Sequence, residues 1–392
     1  MSLATGHPLI AIPGPSPVPD RVLRAAHRAS PDIYGYELAD LNLRVMAQLK
    51  RLAGSAAHLA PYIGNGHGAW EAVGANLFAP GDRVLVLISG HFGHSWAGQM
   101  AAMGIAVETL DFGPAAAAPE RLAARLAEDR EGLIRAVLIC QIDTASGCLS
   151  DIPAIRAAMA DHPALLVVDA VAALGCVPMM MDDWGVDVLI AASQKGLMSL
   201  PGTAFVWFSE RAAARGRTAL TTPYWDWHPR AAADRDSLWR FWGGTPPVQQ
   251  LFALDEALRI LLDEEGLCAV WARHAALARA VWAAVDTWGA GNPDIRLTVA
   301  DPAARAASVT ALSLPGADAL RGWVSLHCGV TLGIGLGAQN AANALRIAHM
   351  GHANAAMVLG VLGAMQAGMV ALDIPHGSGA LDAAAAALAE PA

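Results

Sequence analysis

Lysine is almost missing from this chain. Of 26 basic residues in 392 positions, only Lys50 and Lys195 are lysines, and the rest are arginine. Charge is thin as well: charged residues make up 16% of the sequence, the formal net charge is −9, and no lysine/arginine cluster stands out. The electrostatic footprint of a nucleic-acid binder is therefore absent. The five cysteines (Cys140, Cys148, Cys176, Cys268 and Cys328) are odd in number and form no C-x-x-C pair. That excludes a disulfide framework and predicts a reducing, cytoplasmic setting. The first residues lack a charged segment followed by a long apolar one, so no signal peptide is expected. The one long apolar stretch, 355–372, carries Gln366 and three glycines and stops at Asp373. It reads as a buried helix and gives no reason to expect a membrane partner. No internal repeat is visible.

What is present is a large apolar reserve, 55% of the residues, enough for an extensive core. Over the first two thirds, short apolar runs alternate with amphipathic ones. Strands are predicted at 58–63, 83–88, 105–110, 134–140, 164–169, 186–192 and 203–208, with helices at 69–78, 94–104, 119–129 and 152–161. This alternation implies an α/β fold, with a mostly parallel sheet of seven strands between helices. Helix patterns follow at 248–265 and 267–289, then the turn-rich "GAGNPD". Beyond it, strands near 295–299, 307–314 and 344–348 and helices near 316–327, 352–371 and 380–389 suggest a smaller α+β domain. The predicted division is 1–265 for the large domain and 266–392 for the small one, with helix 267–289 as a bridge.

Ligands of such sheets bind beyond the carboxyl ends of the strands. Asp169 closes one predicted strand there, and the next runs out into Ser193-Gln194-Lys195-Gly196. A carboxylate and an amine so placed suit pyridoxal 5'-phosphate. Its aldehyde requires a lysine for Schiff-base formation, and its pyridine nitrogen requires an acidic partner. The apolar run before Lys195 would desolvate the amine and lower its pKa. The competing reading is a structural ion pair. In "YIGNGHGAWEA", Gly64, Gly66 and Gly68 lie between a strand and a helix start, where amides can approach a phosphate. The alternative is an ordinary glycine turn. Phe92, at another strand-to-helix junction, could stack on a flat ring. His91 and His94, and likewise His349 and His352, have no cysteine or carboxylate beside them in sequence, and no metal site is predicted. Arg346, in an otherwise apolar strand, could hold a carboxylate through both nitrogens or could simply reach solvent.

Taken together, these residues resemble the class V aminotransferases of fold type I, in particular the alanine–glyoxylate and serine–glyoxylate group. The resemblance covers nearly the whole chain. It runs through "PGPSPVPDRVLRA" (13–25), "GHGAWEAVGANLFAPGDRVLV" (66–86), "LLVVDAVAALG" (165–175), "WGVDVLIAASQKGLMSLPG" (184–202), "YWDW" (224–227), "EEGLCAVWARH" (264–274) and "LRIAHMG" (345–351). It implies that Lys195 is the Schiff-base lysine and Asp169 the partner of the pyridine nitrogen. Gly66, His67, Gly68 and Gln194 would hold the phosphate, Phe92 and Val171 would cover the two ring faces, and Thr144 would face the phenolic oxygen. Thr245 would reach the phosphate in a second subunit, which makes the enzyme a homodimer with shared sites. Arg346 would bind the substrate carboxylate. The reaction implied is ping-pong transamination between a small amino acid and a small 2-oxo acid such as glyoxylate or pyruvate.

The chain also departs from the pattern. Tyr34, in "DIYGYELADL", stands where serine–glyoxylate enzymes carry an arginine, which makes it a candidate substrate contact. "QIDTASGC" replaces an N-E-T-S-T-G-like loop, and Trp242 replaces a tyrosine. Tyr34, "DTASG", "VDAV" and "AVWARH" resemble pyridoxamine–pyruvate transaminase, so an enzyme acting on free pyridoxamine is an alternative. A lyase on the same fold is another, with Cys328 as its least unsuitable thiol. A binding protein that has kept the fold without catalysis is disfavoured by the intact Lys195 and Asp169. Pocket shape would also depend on Tyr36, Tyr224 and Trp225.

Overall fold

The computed structural model describes residues 3–338 and 340–390. Its larger sheet has seven strands, in spatial order His58–Ile63, Thr203–Phe208, Val188–Ala192, Leu165–Asp169, Ile134–Cys140, Arg83–Ile88 and Ala106–Asp111. Only Thr203–Phe208 runs against its two neighbours; the other pairings are parallel.

Period-two geometry divides each strand between two cores. Leu85, Leu87, Val137, Ile139, Leu166, Val168 and Leu189 join one cluster, while Val84, Val86, Ala136, Leu138, Val167, Val188 and Ile190 join the other. Both faces are covered, which is why these strands read as continuous apolar runs. Each fully buried leucine or valine contributes roughly 1.5–3 kcal/mol relative to exposure.

A second sheet has five strands, in the order Leu9–Ala11, Val330–Ile334, Ala344–Ala348, Val309–Ser313 and Arg296–Leu297. Its first pairing is parallel: Leu9, Ile10 and Ala11 face Val330, Thr331 and Leu332. The N-terminal segment is thus tied to residues more than three hundred positions later. Leu312, Leu314, Leu345 and Ile347 of this sheet pack on the helices Leu267–Gly291, Ala317–Cys328 and Ala355–Ala371. The opposite face, which carries Ala311 and Arg346, looks toward the large sheet's strand ends.

Several elements differ from the sequence expectation. The helix Tyr36–Ala53 and the strands Leu9–Ala11 and Val330–Ile334 were not anticipated. The predicted strand near 295–299 shrinks to Arg296–Leu297. The helix expected over 248–265 is α-helical only to Arg259 and closes as a wider π turn over Ile260–Glu265 before Gly266 at φ 82°. Among the described residues no helix is long and apolar enough to cross a membrane. In Ala355–Ala371, Val358, Val361, Leu362, Met365 and Met369 are buried in the protein core.

Candidate active site

Six parallel strands end at the same edge of the large sheet, and the residues singled out from the sequence follow five of those ends. Gly66–Gly68 come after His58–Ile63, Phe92 after Arg83–Ile88, and Thr144 after Ile134–Cys140. Asp169 and Val171 come at and after Leu165–Asp169, and Gln194 and Lys195 after Val188–Ala192.

The turn bearing Lys195 is fixed from several sides. Ser193 Oγ donates to Leu200 O at 2.6 Å, and Ser16 Oγ donates to Lys195 O at 2.7 Å. Ser16 N donates to Gln194 O at 2.9 Å. The Lys195 ammonium donates to the carbonyl of Pro13. Gly196 lies against Leu174 and Cys176, where a Cβ would come within 2.8 Å of the Cys176 sulfur. Burial, and then the charge of Arg346, lower the Lys195 pKa to about 8. The amine is therefore available in its neutral form close to physiological pH.

Asp169 is buried and accepts from Trp70 Nε1 at 2.8 Å and from Val171 N at 2.7 Å. Burial raises its pKa to about 6 although both hydrogen bonds pull downward. Trp70 is stacked on Trp96, with ring centroids 5.4 Å apart, and also borders His67 and Phe92.

The glycine turn opens the helix Gly66–Leu77, capped by Asn65, whose side chain accepts from Gly68 N at 3.2 Å. That bond engages Gly68, and the amides of Gly66 and His67 remain without partners inside the helix. A Cβ on Gly66 would meet Val171 Cγ2 at 3.0 Å, so the two segments pack closely. His67 is held toward its neutral form by burial, then by His91 and Lys195. Gln194 has a buried Oε1 without a hydrogen-bond partner among the described residues. A cleft of about 420 Å³ joins Gln194, Lys195, Gly64, Asn65, Gly14 and Gly202.

Asp143, which sequence reasoning passed over, seats Phe92. Its buried carboxylate accepts from Phe92 N at 2.8 Å, Gly93 N at 3.1 Å and Ala145 N at 2.9 Å. Burial raises its pKa. Thr144, next in sequence, accepts from Arg346 Nη1 at 3.0 Å through its carbonyl, and Arg346 Nε donates to Ile334 O at 2.8 Å. Burial lowers the Arg346 pKa to about 10, so it stays cationic at neutral pH.

The remaining sequence candidates lie elsewhere. Tyr34 and Thr245 line a separate cavity of about 400 Å³, together with Tyr36, Arg235 and Trp239, and Tyr34 is 91% exposed. Trp242 is buried and donates to Asn42 Oδ1 at 2.9 Å. Tyr224 donates to Ile63 O at 3.0 Å, and Trp225 lies beside Gly68. Cys328 packs against the core of the small sheet. His94 pairs with Asp111 at 3.1 Å, and the described residues hold no group of three or more metal-ligating side chains.

A desolvated amine, a buried carboxylate that can hold or release a proton, and helix-start amides without partners inside the helix are a set whose chemistry suits a phosphorylated aldehyde on an α/β scaffold. The sequence matches the family described as Aminotransferase class-V over residues 62–334. It is 34% identical to the serine–glyoxylate aminotransferase of Methylorubrum extorquens, covering 94% of this chain and 93% of that one. The fold is similar to the ureidoglycine–glyoxylate aminotransferase of Bacillus subtilis, with a TM-score of 0.88, 26% identity and all of both chains covered. It is similar also to the pyridoxamine–pyruvate aminotransferase of Mesorhizobium loti, with a TM-score of 0.89, 27% identity and 99% of each chain covered. The chain belongs to the class V aminotransferases: it is a fold type I transaminase, and its cofactor is pyridoxal 5'-phosphate.

Proposed function

We propose that this enzyme moves an amino group from a small, alanine- or serine-like amino acid to a small 2-oxo acid, glyoxylate or pyruvate, with Lys195 as the reactive amine. The observation that carries this reading is the pair formed by Lys195 and Asp169 at adjacent strand ends. Burial displaces both toward their neutral forms, the amine to about 8 and the carboxyl to about 6. Bound pyridoxal phosphate supplies an aldehyde for the amine and a conjugated ring that takes up electrons from the substrate. Lys195 Nζ would take the proton from the substrate Cα and hold it for return, work for which a pKa near ambient pH is best suited. Asp169 would face the ring nitrogen, its oxygens oriented by Trp70 and Val171. Gly66, His67, Gly68 and Gln194 would hold the phosphate, Phe92 and Val171 the ring faces, and Thr144 the phenolic side. Arg346 would orient the substrate carboxylate.

The working unit in this reading is a homodimer. Thr245 and Tyr34 belong to a surface that also exposes Tyr36 and Trp239, away from the chain's own Lys195 cleft. That placement suits residues donated to a second copy's site. Free cysteines, three of them buried, agree with a reducing cytoplasm.

A second reading, pyridoxamine itself as amino donor, draws support from the fold similarity to the Mesorhizobium loti enzyme. One experiment tests both. Cofactor-loaded protein is expected to absorb near the visible edge, and Lys195→Ala to lack that band. Borohydride reduction is expected to trap the cofactor on Lys195. Small amino acids should then bleach the band; a spectral change in stripped protein given pyridoxamine, with no response of the loaded protein to amino acids, would favour the second reading. An unlabelled Lys195 would overturn both.

A further inference from the structure

The face of the small sheet that carries Arg346 carries a second arginine. Ala311 pairs with Arg346, Ser313 with Ala344, and Arg296 with Ser313. Paired residues share a face, and so do residues two apart on one strand. Arg296, Ser313, Ala344, Ala311 and Arg346 therefore look the same way. They line one cavity of about 830 Å³, closed on the far side by His91, His94 and Ser146 of the large domain. Between the two arginines this face bears only alanine and serine, so the floor is open. Sheet spacing puts their Cα atoms about 12 Å apart.

The two cations differ in state. Arg346 is buried and pinned by the carbonyls of Thr144 and Ile334. Arg296 is exposed and, among the described residues, makes no ion pair. Of the acidic side chains on the lining, Asp111 is engaged by His94, and Asp294 stands at the rim beside Arg296. The cavity is large for a substrate as small as alanine.

We propose that Arg296 is a specificity residue that receives a second carboxylate, so that the enzyme, beside the small substrates named above, also accepts a dicarboxylic amino donor or 2-oxo acid of about four or five carbons. This rests on the reading in which Arg346 holds the α-carboxylate. One carboxylate meets the fixed guanidinium beside the reacting centre, and the other meets the free one across the floor. The exposed Arg296 side chain has room to adjust to the chain length between them.

The test uses the cofactor-loaded enzyme and two readouts. Calorimetry is expected to show succinate binding more tightly than propionate, and Arg296→Gln to weaken succinate roughly tenfold with little change for propionate. In amino-donor kinetics, the preference for L-glutamate or L-aspartate over L-alanine, as a ratio of kcat/KM, should fall by a similar factor in Arg296→Gln. Equal binding of succinate and propionate by the wild type, or an unchanged ratio in the variant, would overturn the proposal. Failure of the underlying reading looks different: Lys195 would stay unlabelled and L-alanine would not react, whatever succinate did.

Discussion

At the scale of single residues, the scarcity of lysine acquires a chemical meaning. Arginine is effectively never deprotonated in proteins, so an arginine at 195 could neither attack an aldehyde nor accept a proton. Lysine can do both once it is desolvated. Its position is held by backbone contacts, and glycine is what permits them. Gly175 and Gly196 lie so close together that a Cβ on Gly196 would strike the carbonyl of Leu174 and come within 2.8 Å of the Cys176 sulfur. Backbone cannot swing aside as a flexible side chain can, so the whole turn must shift. Gly196→Ala is expected to cost about 1–3 kcal/mol, the usual range for overpacking, and to displace the Lys195 amine from Pro13 O. Urea unfolding of the variant reads the first effect, and the rate of cofactor capture reads the second. An unchanged midpoint together with normal capture would show that the turn is not constrained as described.

At the scale of elements, the legible parts of the fold were those whose burial is decided locally. The strands Arg83–Ile88, Leu165–Asp169 and Val188–Ala192 are apolar throughout because both faces are covered, and the polar residues that follow them mark the site edge. Tyr36–Ala53 was legible too, though unused: Leu38, Leu41, Val45, Leu49 and Leu52 have helical spacing. Leu9–Ala11 was not, since three residues become a strand only through a partner at Val330–Leu332. The same limit hid parts of the site. Nothing in the sequence says that Trp70 donates to Asp169 or that Asp143 grips the start of the helix His91–Ala102. Asp143 is the stronger case. Removing its carboxylate leaves the amides of Gly93 and Ala145 buried without this acceptor, at about 1–3 kcal/mol each, and frees the half-buried amide of Phe92. Asp143→Ala is therefore expected to lose several kcal/mol in urea unfolding and to loosen Phe92; a loss below about 1 kcal/mol would mean that other acceptors replace it.

At the scale of the molecule, helix, sheet and loop are joined by a buried polar chain. Trp282 Nε1, on the helix Leu267–Gly291, donates to Thr310 Oγ1 at 3.0 Å. Thr310 donates to His349 Nε2 at 3.0 Å, and His349 Nδ1 donates to Ala307 O at 2.8 Å. The carbonyl at one end places a proton on Nδ1, and burial keeps the His349 ring neutral. Burial lowers its pKa to about 3 and that of His274 to about 4, the latter with a buried Nε2 that has no hydrogen-bond partner among the described residues. In the unfolded chain both titrate near 6.5, so below that pH the unfolded state binds more protons than the folded one. Their contribution is present above pH 6.5 and is lost as pH falls toward 4, at up to about 1.4 kcal/mol per pH unit for each histidine. Asp143 and Asp169 work in the opposite sense. Their raised pKa values let the folded state take up protons first, which offsets part of the loss. A wild-type profile alone thus mixes the two signs, and a variant separates them. His274→Leu removes one titrating group whose Nε2 makes no bond, and it is expected to flatten the fall in unfolding free energy between pH 6.5 and 4. Parallel profiles for wild type and variant would show that His274 takes up its proton in the folded state as readily as in the unfolded one, against the burial seen here.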